Sequence, residues 1–214
     1  MKLYTYFRSS AAFRVRIALN LKRIAYEPVF VHLAKGEHRK PDYARVNPQG
    51  LVPTLELDDG KRLAQSLAII EWLDEKHPAP PLIPKDSLAR ARVRSLSYLI
   101  ASEIHPLNNL RVLQHLKRAL GQSQEQIDQW YRHWIADGLA KLEADLARGA
   151  TGKFCHGDSP TMADCCLVPQ IFNAKRYESD LAPYPQTMRV FDNCMKLEAF
   201  DRAQPSKQPD AESL

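Results

Sequence analysis

One stretch near the N-terminus sets the architecture of the chain: Tyr4-Thr5-Tyr6-Phe7-Arg8-Ser9-Ser10-Ala11-Ala12-Phe13-Arg14-Val15-Arg16-Ile17-Ala18-Leu19. Its first part is apolar and aromatic enough for a buried strand, and its second part has helix formers with apolar residues at helical spacing. Ser9 and Ser10 stand between the two, where a helix N-cap is expected. The stretch predicts a strand, a polar corner and a helix whose N-terminus attracts an anion such as a thiolate. A plain helix cap is the alternative interpretation of the serine pair.

The next elements extend this start into a small α/β domain. A second apolar strand is predicted over residues 27–33, which makes a βαβ unit with parallel strands. A short helix is predicted over residues 42–46, and Pro53 opens a third strand. Asp58-Asp59-Gly60 predicts a hairpin to a fourth strand, and Gln65-Ser66 starts another helix. The predicted order is βαβαββα.

The second half of the chain predicts helices alone. Four prolines lie between residues 77 and 87, where no periodicity is visible. We therefore predict a domain over residues 1–80, a linker over 81–87 and an all-helical domain over 88–214. Within the helical domain we expect one long helix over residues 93–120, bent at Pro106, capping boxes at Ser123 and Thr161, and a frayed tail from Pro205 onward.

Composition excludes several functional classes. The 214 residues carry a net charge of +5, but Lys and Arg are interleaved with acids, so no nucleic-acid partner is expected. No run of eighteen apolar residues or signal-peptide layout is visible, which predicts a cytoplasmic protein with no membrane contact. The four cysteines have spacings that fit no metal site or CxxC pair, so buried, reduced thiols are expected.

Five motifs in this order resemble the zeta class of the cytosolic glutathione transferases, along nearly the whole chain. They are Arg8-Ser9-Ser10 with Arg14-Val15-Arg16-Ile17-Ala18-Leu19, Leu51-Val52-Pro53-Thr54-Leu55, Gln65-Ser66-Leu67-Ala68-Ile69-Ile70-Glu71, Gly157 to Asp164, and Leu167-Val168-Pro169-Gln170. The resemblance implies a thioredoxin-like N-terminal domain that holds glutathione, followed by an all-helical C-terminal domain.

The resemblance also implies which residues hold glutathione. Pro53 would be a cis-proline, and the backbone of Val52 would pair with the cysteinyl part. Gln65 and Ser66 would receive the γ-glutamyl carboxylate, which suits side-chain and backbone donors at a helix start. Further contacts are implied for His38, Gln49, His105 and Asn109.

Catalysis is implied at the serine corner. Ser9 would donate its hydroxyl to the glutathione sulfur, with Ser10 nearby and Arg8 beside them. A free thiol titrates near pH 8.5, and a helix N-terminus with a hydroxyl donor lowers that value. Ala11 stands where the family usually has a cysteine, although the position still lies in the implied glutathione site. That difference removes the cysteine on which a thiol-exchange side activity would depend.

The implied substrate is a small dicarboxylic keto-acid with a cis double bond, either maleylacetoacetate or maleylpyruvate. Addition of the thiolate would allow rotation, and its elimination would give the fumaryl isomer, a step in the catabolism of aromatic amino acids or aromatic acids. Arginine suits two carboxylates and a developing enolate. The implied substrate residues are Arg8, His105, Arg111 and Arg176, each of which could instead lie on a solvated helix face.

Two other functions stay open on the sequence alone. The same thiolate could displace halide from small α-halo acids, which would make the protein a broader glutathione transferase. A non-catalytic binding module with the same fold is the third possibility, although the intact serine pair argues against it. The resemblance also implies a homodimer.

Overall fold

Four short strands form one mixed sheet in the computed structural model, which describes residues 1–212. Their bounds are Lys2–Thr5 (β1), Glu27–Phe30 (β2), Thr54–Glu56 (β3) and Arg62–Ala64 (β4). The spatial order is β2-β1-β3-β4. Strand β1 runs parallel to β2 and antiparallel to β3, which forms an antiparallel hairpin with β4. The predicted parallel half and hairpin are confirmed.

The described residues also form nine α-helices. They are Ser10–Leu21 (α1), Pro41–Val46 (α2), Ser66–Lys76 (α3), Ser87–Tyr98 (α4), Leu110–Arg118 (α5), Gln124–Arg148 (α6), Met162–Arg176 (α7), Pro185–Met195 (α8) and Glu198–Asp201 (α9). The first three alternate with the strands as βαβαββα. The order predicted for the first domain is therefore confirmed.

The described chain divides into two compact units. One comprises Met1–Ile83 with the C-terminal segment from Met195, and the other is Pro84–Cys194. The sequence prediction assigned the C-terminal segment to the helical domain, whereas its contacts here are with the sheet unit. Arg16 explains part of this, since its Nε and Nη2 each donate to the carbonyl of Ala203 at 3.1 Å.

The C-terminal segment is held by several further bonds, so the expectation of a frayed tail was wrong for residues 205–212. A 3₁₀ turn forms at Pro205–Lys207. The Asp210 carboxylate accepts from the backbone N–H of Phe7 at 2.9 Å. Glu212 lies 2.9 Å from the ring Nε2 of His32. These partners lie about two hundred residues away in sequence, which is why local composition did not reveal them.

The beginning of the linker is fixed to the sheet unit by a buried ion pair. Lys22 Nζ lies 2.8 Å from Asp74 Oδ1 and also donates to the carbonyls of His77 and Pro80. Asp74 in turn accepts from the backbone N–H of Leu82 at 2.7 Å. The proline-rich stretch therefore follows an ordered path at its start.

The helix predicted over residues 93–120 is interrupted, so the prediction of one bent helix was wrong. After α4 the chain forms a π-helical segment, Leu99–Ile104, and a 3₁₀ turn, His105–Asn108. Pro106 lacks an N–H for the helical ladder, and Asn109 caps a new helix by accepting from Arg111 N at 3.2 Å. A close contact with α6 fixes the segment, since a Cβ at Gly138 would lie 2.2 Å from the Ile104 side chain.

Both predicted capping boxes are present in the helical unit. Ser123 and Gln126 form the exposed one at the start of α6. Asp164 forms the buried one at the start of α7, where Oδ2 accepts from the backbone N–H and the hydroxyl of Thr161 at 2.7 and 2.8 Å. Its other oxygen accepts from Cys155 N at 2.8 Å. Burial raises the pKa of Asp164, and these bonds oppose that rise.

The cysteines are thiols inside the fold, as expected. Cys155, Cys165, Cys166 and Cys194 are all buried, and none forms a disulfide. Burial raises the pKa of both Cys155 and Cys194, and the nearby Asp164 charge adds to the effect. Within residues 1–212, no three His, Cys, Asp or Glu side chains are grouped to hold a metal ion. No helix in the same range is long and apolar enough to cross a membrane.

Candidate active site

The serine corner lies between β1 and α1, where the sequence predicted it. Ser9 N donates to the carbonyl of Tyr6 at 3.0 Å, closing a tight turn after the strand. Ser9 is the N-cap of α1, and its Oγ accepts from Ala12 N at 3.2 Å. That bond uses a lone pair of the oxygen, so the hydroxyl hydrogen can be donated outward. The corner therefore combines a helix N-terminus with an O–H donor.

The neighbours of Ser9 differ in exposure. Ser10 is the first residue of α1 and is buried, whereas Arg8 is exposed in the turn. Ala11 is half-buried in the first helical turn, where its methyl adds no polar group. In this arrangement Ser9 and Arg8 are the side chains of the corner best able to meet a ligand.

The start of α3 forms a second anion-binding corner. Gln65 precedes the helix with a backbone φ of 72°, a left-handed conformation uncommon for a residue with a side chain. Its side chain does not cap the helix; instead Nε2 donates to Gln49 Oε1 at 2.8 Å. The first intrahelical bond runs from Ile69 N to the Gln65 carbonyl. The amides before it point toward the helix start, where they suit a carboxylate.

A buried arginine connects the two corners. Arg14 Nη1 on α1 donates to Ser66 Oγ, the first residue of α3, at 3.2 Å. Only 3% of Arg14 is exposed, so its positive charge acts through a medium of low dielectric. Sequence reasoning quoted Arg14 within a motif and gave it no role. The available signal was the pair Arg14 and Arg16 inside a helix whose other residues from 12 to 19 are apolar.

The loop before β3 is fixed by its own hydrogen bonds. Tyr43 Oη donates to the carbonyl of Leu51 at 2.6 Å, and Asn47 Nδ2 donates to the same carbonyl at 2.9 Å. The Val52–Pro53 peptide bond is cis, which confirms that structural prediction. Neither Tyr43 nor Asn47 was assigned a role from the sequence. The available signal was their place just before a loop that contains two prolines.

His38 lies against the same loop. A Cβ on Gly50 would lie 3.3 Å from the His38 carbonyl, so His38 and Gln49 belong to adjoining segments. Burial lowers the pKa of His38, and the positive charge of Arg39 lowers it further. Both effects disfavour the charged form of the imidazole. Four of the residues predicted to hold glutathione are therefore connected within the first unit: His38 adjoins the Gln49–Gly50 loop, and Gln49 bonds Gln65, which precedes Ser66.

The helical unit carries the remaining predicted residues. His105 lies in the 3₁₀ turn, and Asn109 uses its side-chain oxygen to cap α5. Arg111 is exposed in the first turn of α5. These three positions lie within a span of seven residues, from the 3₁₀ turn to the first turn of α5.

Arg176 is at the end of α7 beside two stacked tyrosines. The rings of Tyr131 and Tyr177 are 3.5 Å apart and nearly parallel. The Arg176 guanidinium lies 5.0 Å from the Tyr177 ring centroid, and Nη2 is 3.5 Å from Tyr131 Oη. The aromatic pair thus limits the orientation of a cation that is otherwise exposed.

The fold and the order of its parts define the class of protein. Residues 8–76 match the glutathione S-transferase N-terminal domain, and residues 124–193 match the glutathione S-transferase C-terminal domain. The thioredoxin-like sheet followed by a helical domain, predicted from the sequence, is confirmed.

Relatives that match over nearly the full length indicate which class of glutathione S-transferase this chain belongs to. A maleylpyruvate isomerase of a Ralstonia species is 47% identical, over 99% of this chain and 100% of its own. A maleylacetoacetate isomerase of Pseudomonas aeruginosa is also 47% identical, over 98% of both chains. The holo structure of a maleylpyruvate isomerase described as zeta class has a TM-score of 0.96 at 46% identity, covering 99% of this chain and 100% of that one. The chain belongs to the glutathione S-transferase family, in its zeta class.

Glutathione is the cofactor of this family, and the residues present suit it. A related isomerase structure from Anaeromyxobacter dehalogenans, 46% identical over 99% of this chain and 97% of its own with a TM-score of 0.89, contains bound glutathione. Here the start of α3 offers amide, amide side-chain and hydroxyl donors to a carboxylate. The serine corner offers a hydroxyl to a thiolate. The donor set therefore fits a tripeptide that carries both groups.

Proposed function

We propose that this protein catalyses the glutathione-dependent cis–trans isomerisation of a maleyl keto-acid, either maleylacetoacetate or maleylpyruvate, to its fumaryl isomer. The observation that carries the proposal is the serine corner, where Ser9 accepts from Ala12 N and can still donate its hydroxyl hydrogen. Relatives named for both activities match the chain over nearly its whole length. Both substrates share the cis-enedioic acid, so the chemistry below applies to either.

Bound glutathione supplies a thiolate that adds reversibly to the double bond and so allows rotation about it. Ser9 stabilises that thiolate by donating its hydroxyl at the positive end of α1. Ser10 and Ala11 provide the first-turn backbone, and Arg8 provides a nearby positive charge. The first unit therefore lowers the free energy of the charged form of the thiol.

The same unit binds the rest of the tripeptide. Gln65 and Ser66 receive the γ-glutamyl carboxylate, with Arg14 supporting Ser66 from the interior. The backbone of Val52 before Pro53 pairs with the cysteinyl part, and His38 and Gln49 bind toward the glycyl end. The Gln49–Gln65 hydrogen bond would keep both amides in a defined orientation.

Substrate binding requires charge complementary to two carboxylates. Arg176 and Arg111 of the helical unit and Arg8 of the first unit are the candidate partners. Arginine stays charged at all working pH values and can hold a carboxylate through two parallel bonds. His105 and Asn109 contribute polar contacts to glutathione and substrate. An arginine near the developing enolate lowers the barrier electrostatically.

The proposal is tested with Ser9→Ala, using Ser10→Ala as the matched control in the same turn. We expect Ser9→Ala to lower kcat by at least about tenfold, since about one unit of thiol pKa corresponds to 1.4 kcal/mol. Ser10→Ala should have a smaller effect, because Ser10 is buried in the helix. Rates with maleylacetoacetate and maleylpyruvate, followed by absorbance, provide the measurement and identify the preferred substrate.

Other outcomes would contradict the proposal. Unchanged turnover in Ser9→Ala would exclude its role. Halide release from small α-halo acids, without isomerase activity, would support the broader transferase. Retention on immobilised glutathione with neither activity would indicate a binding module.

The assembly and location form part of the same proposal. The protein would act as a homodimer, as the resemblance to the family implies, and would reside in the cytoplasm. Leu88 and Tyr98 on α4 are large apolar side chains that are 81% and 46% exposed in the single chain, which favours a covering partner. The four buried thiols suit a reducing compartment. Sedimentation of the purified protein would test the dimer.

A further inference from the structure

We propose that Asp210 is a positioning residue for the serine corner, acting from the C-terminal segment through the backbone of Phe7. The inference rests on the proposed role of Ser9 and adds a residue that touches neither glutathione nor substrate. It gives the C-terminal segment a part in catalysis, although Asp210 is 203 residues from Phe7 in sequence.

Charged side chains bind both backbone polar groups of Phe7. Its N–H donates to Asp210 Oδ2 at 2.9 Å, and its carbonyl accepts from Arg16 Nη2 at 3.1 Å. The Phe7 side chain is 2% exposed, so the residue as a whole is immobilised. Because Phe7 is two residues before Ser9, these bonds fix the direction in which the chain enters the corner.

Arg16 also supports the turn from Tyr6 to Ser9, which contains Phe7. The carbonyl of Tyr6 accepts from Ser9 N at 3.0 Å and from Arg16 Nη1 at 3.3 Å. Arg16 therefore holds the acceptor of the turn that presents Ser9. The guanidinium also donates twice to the carbonyl of Ala203, which links the turn to the C-terminal segment a second time.

The charges explain why an aspartate suits this place. Arg16 is fully buried, and its five hydrogen bonds use all five guanidinium N–H groups on neutral oxygens, with Thr5 Oγ1 as the remaining acceptor. Burial lowers the pKa of Arg16 to about 10, and the electrostatic effects of Tyr26 and, to a smaller extent, of the Asp210 carboxylate oppose that change. The carboxylate thus stabilises the buried cation at a distance while it binds the Phe7 N–H.

One carboxylate oxygen of Asp210 is buried without a hydrogen bond. Its Oδ1 is inaccessible to solvent and has no hydrogen-bond partner within residues 1–212. Leaving a carboxylate oxygen unsatisfied costs free energy, so an ordinary surface anchor would not require this arrangement. What this burial provides is the hydrogen bond that the backbone N–H of Phe7 donates to Asp210 Oδ2.

The test compares Asp210→Ala with Asp210→Asn in the full chain. Asparagine keeps an oxygen that can accept from Phe7 N, whereas alanine removes it. The readout is the thiol pKa of bound glutathione, measured from the ultraviolet absorbance of the thiolate across pH, together with kcat. We expect Asp210→Ala to raise that pKa by roughly half a unit or more, as loss of one orienting hydrogen bond predicts, and Asp210→Asn to stay near the parent value.

Glu212→Gln is the matched control, because Glu212 anchors the same segment through His32 and Lys35 and does not contact Phe7. It should leave the thiol pKa and kcat unchanged. An unaltered thiol pKa in Asp210→Ala, or equal shifts in Asp210→Ala and Glu212→Gln, would overturn the proposal. Ser9→Ala, measured in parallel, separates the positioning role of Asp210 from the proposed role of Ser9. If it raises the pKa while Asp210→Ala does not, only the positioning role fails; if it does not, the role of Ser9 fails.

Discussion

Arg14 donates from Nη1 to Ser66 Oγ at 3.2 Å, so one buried cation joins the helix that begins at the serine corner to the start of α3. The two positions are 52 residues apart in sequence. Each helix start was predicted to bind a different part of the same tripeptide. The bond fixes the spacing between the two starts, and glutathione would have to match that spacing.

Replacing Arg14 should therefore weaken glutathione binding. We expect Arg14→Ala to raise the Kd for glutathione about tenfold, because Ser66 Oγ loses a charged donor in the interior. Arg14→Lys should fall between the parent and alanine, since an ammonium keeps the charge without the planar fork. Calorimetric titration with glutathione measures both. Arg118→Ala, on the exposed end of α5, is the control; an equal loss there would contradict a specific role.

Arg176 should affect the substrate more than the cofactor. Its orientation is limited by the Tyr131–Tyr177 stack, and it belongs to the helical unit, whereas the predicted γ-glutamyl site belongs to the other. We expect Arg176→Ala to raise KM for the maleyl keto-acid at least about tenfold while KM for glutathione stays constant. Lys175→Ala, which removes a cation lying over the Phe191 ring, is the neighbouring control. A rise in KM for glutathione alone, with KM for the keto-acid unchanged, would exclude the proposed substrate contact.

His38 should titrate below the ordinary value for histidine, because burial and Arg39 both disfavour its charged form. Its NMR midpoint is expected below about pH 6.5. The folded state then binds fewer protons here than the unfolded state, so stability falls as the pH decreases through about 6.5. His38→Gln should lessen that fall and leave stability above about pH 7 unaffected. A pH profile of stability that His38→Gln leaves unchanged would contradict this prediction.

The two capping boxes offer a comparison of burial within one unit. Asp164→Ala leaves the N–H groups of Cys155 and Thr161 and the hydroxyl of Thr161 without their acceptor, so we expect a loss of about 3 kcal/mol in the free energy of unfolding. Ser123→Ala removes one exposed cap and should cost about 1 kcal/mol. Urea unfolding measures both. Similar losses would mean that burial of the first box adds nothing.

Much of the fold could be predicted because its signals are local. The strand, serine corner and helix at the N-terminus follow from an apolar run, a serine pair and apolar residues at helical spacing, all within a short stretch of sequence. The Asp58-Asp59-Gly60 hairpin and both capping boxes are also complete within a few residues. The cis peptide bond at Pro53 was predicted through resemblance to a family, since proline alone leaves both isomers open.

The remaining features depend on contacts between distant parts of the chain. Arg16 and Ala203 are 187 residues apart, and nothing near either residue indicates the other. The break after Tyr98 likewise depends on the close approach of Gly138 to Ile104, which helical periodicity does not encode. The candidate site was predicted as positions within motifs, whereas the buried arginines that support it became evident only from the folded geometry.

A maleyl keto-acid is an electrophile that would alkylate any accessible cysteine it met. The four cysteine thiols of this chain are all buried, and burial raises the pKa of Cys155 and Cys194, which keeps them protonated at neutral pH. Ala11 adds no fifth thiol beside the serine corner. The enzyme would thus be chemically inert toward its own reactant, and every nucleophilic sulfur that reaches the substrate would arrive on a replaceable small molecule.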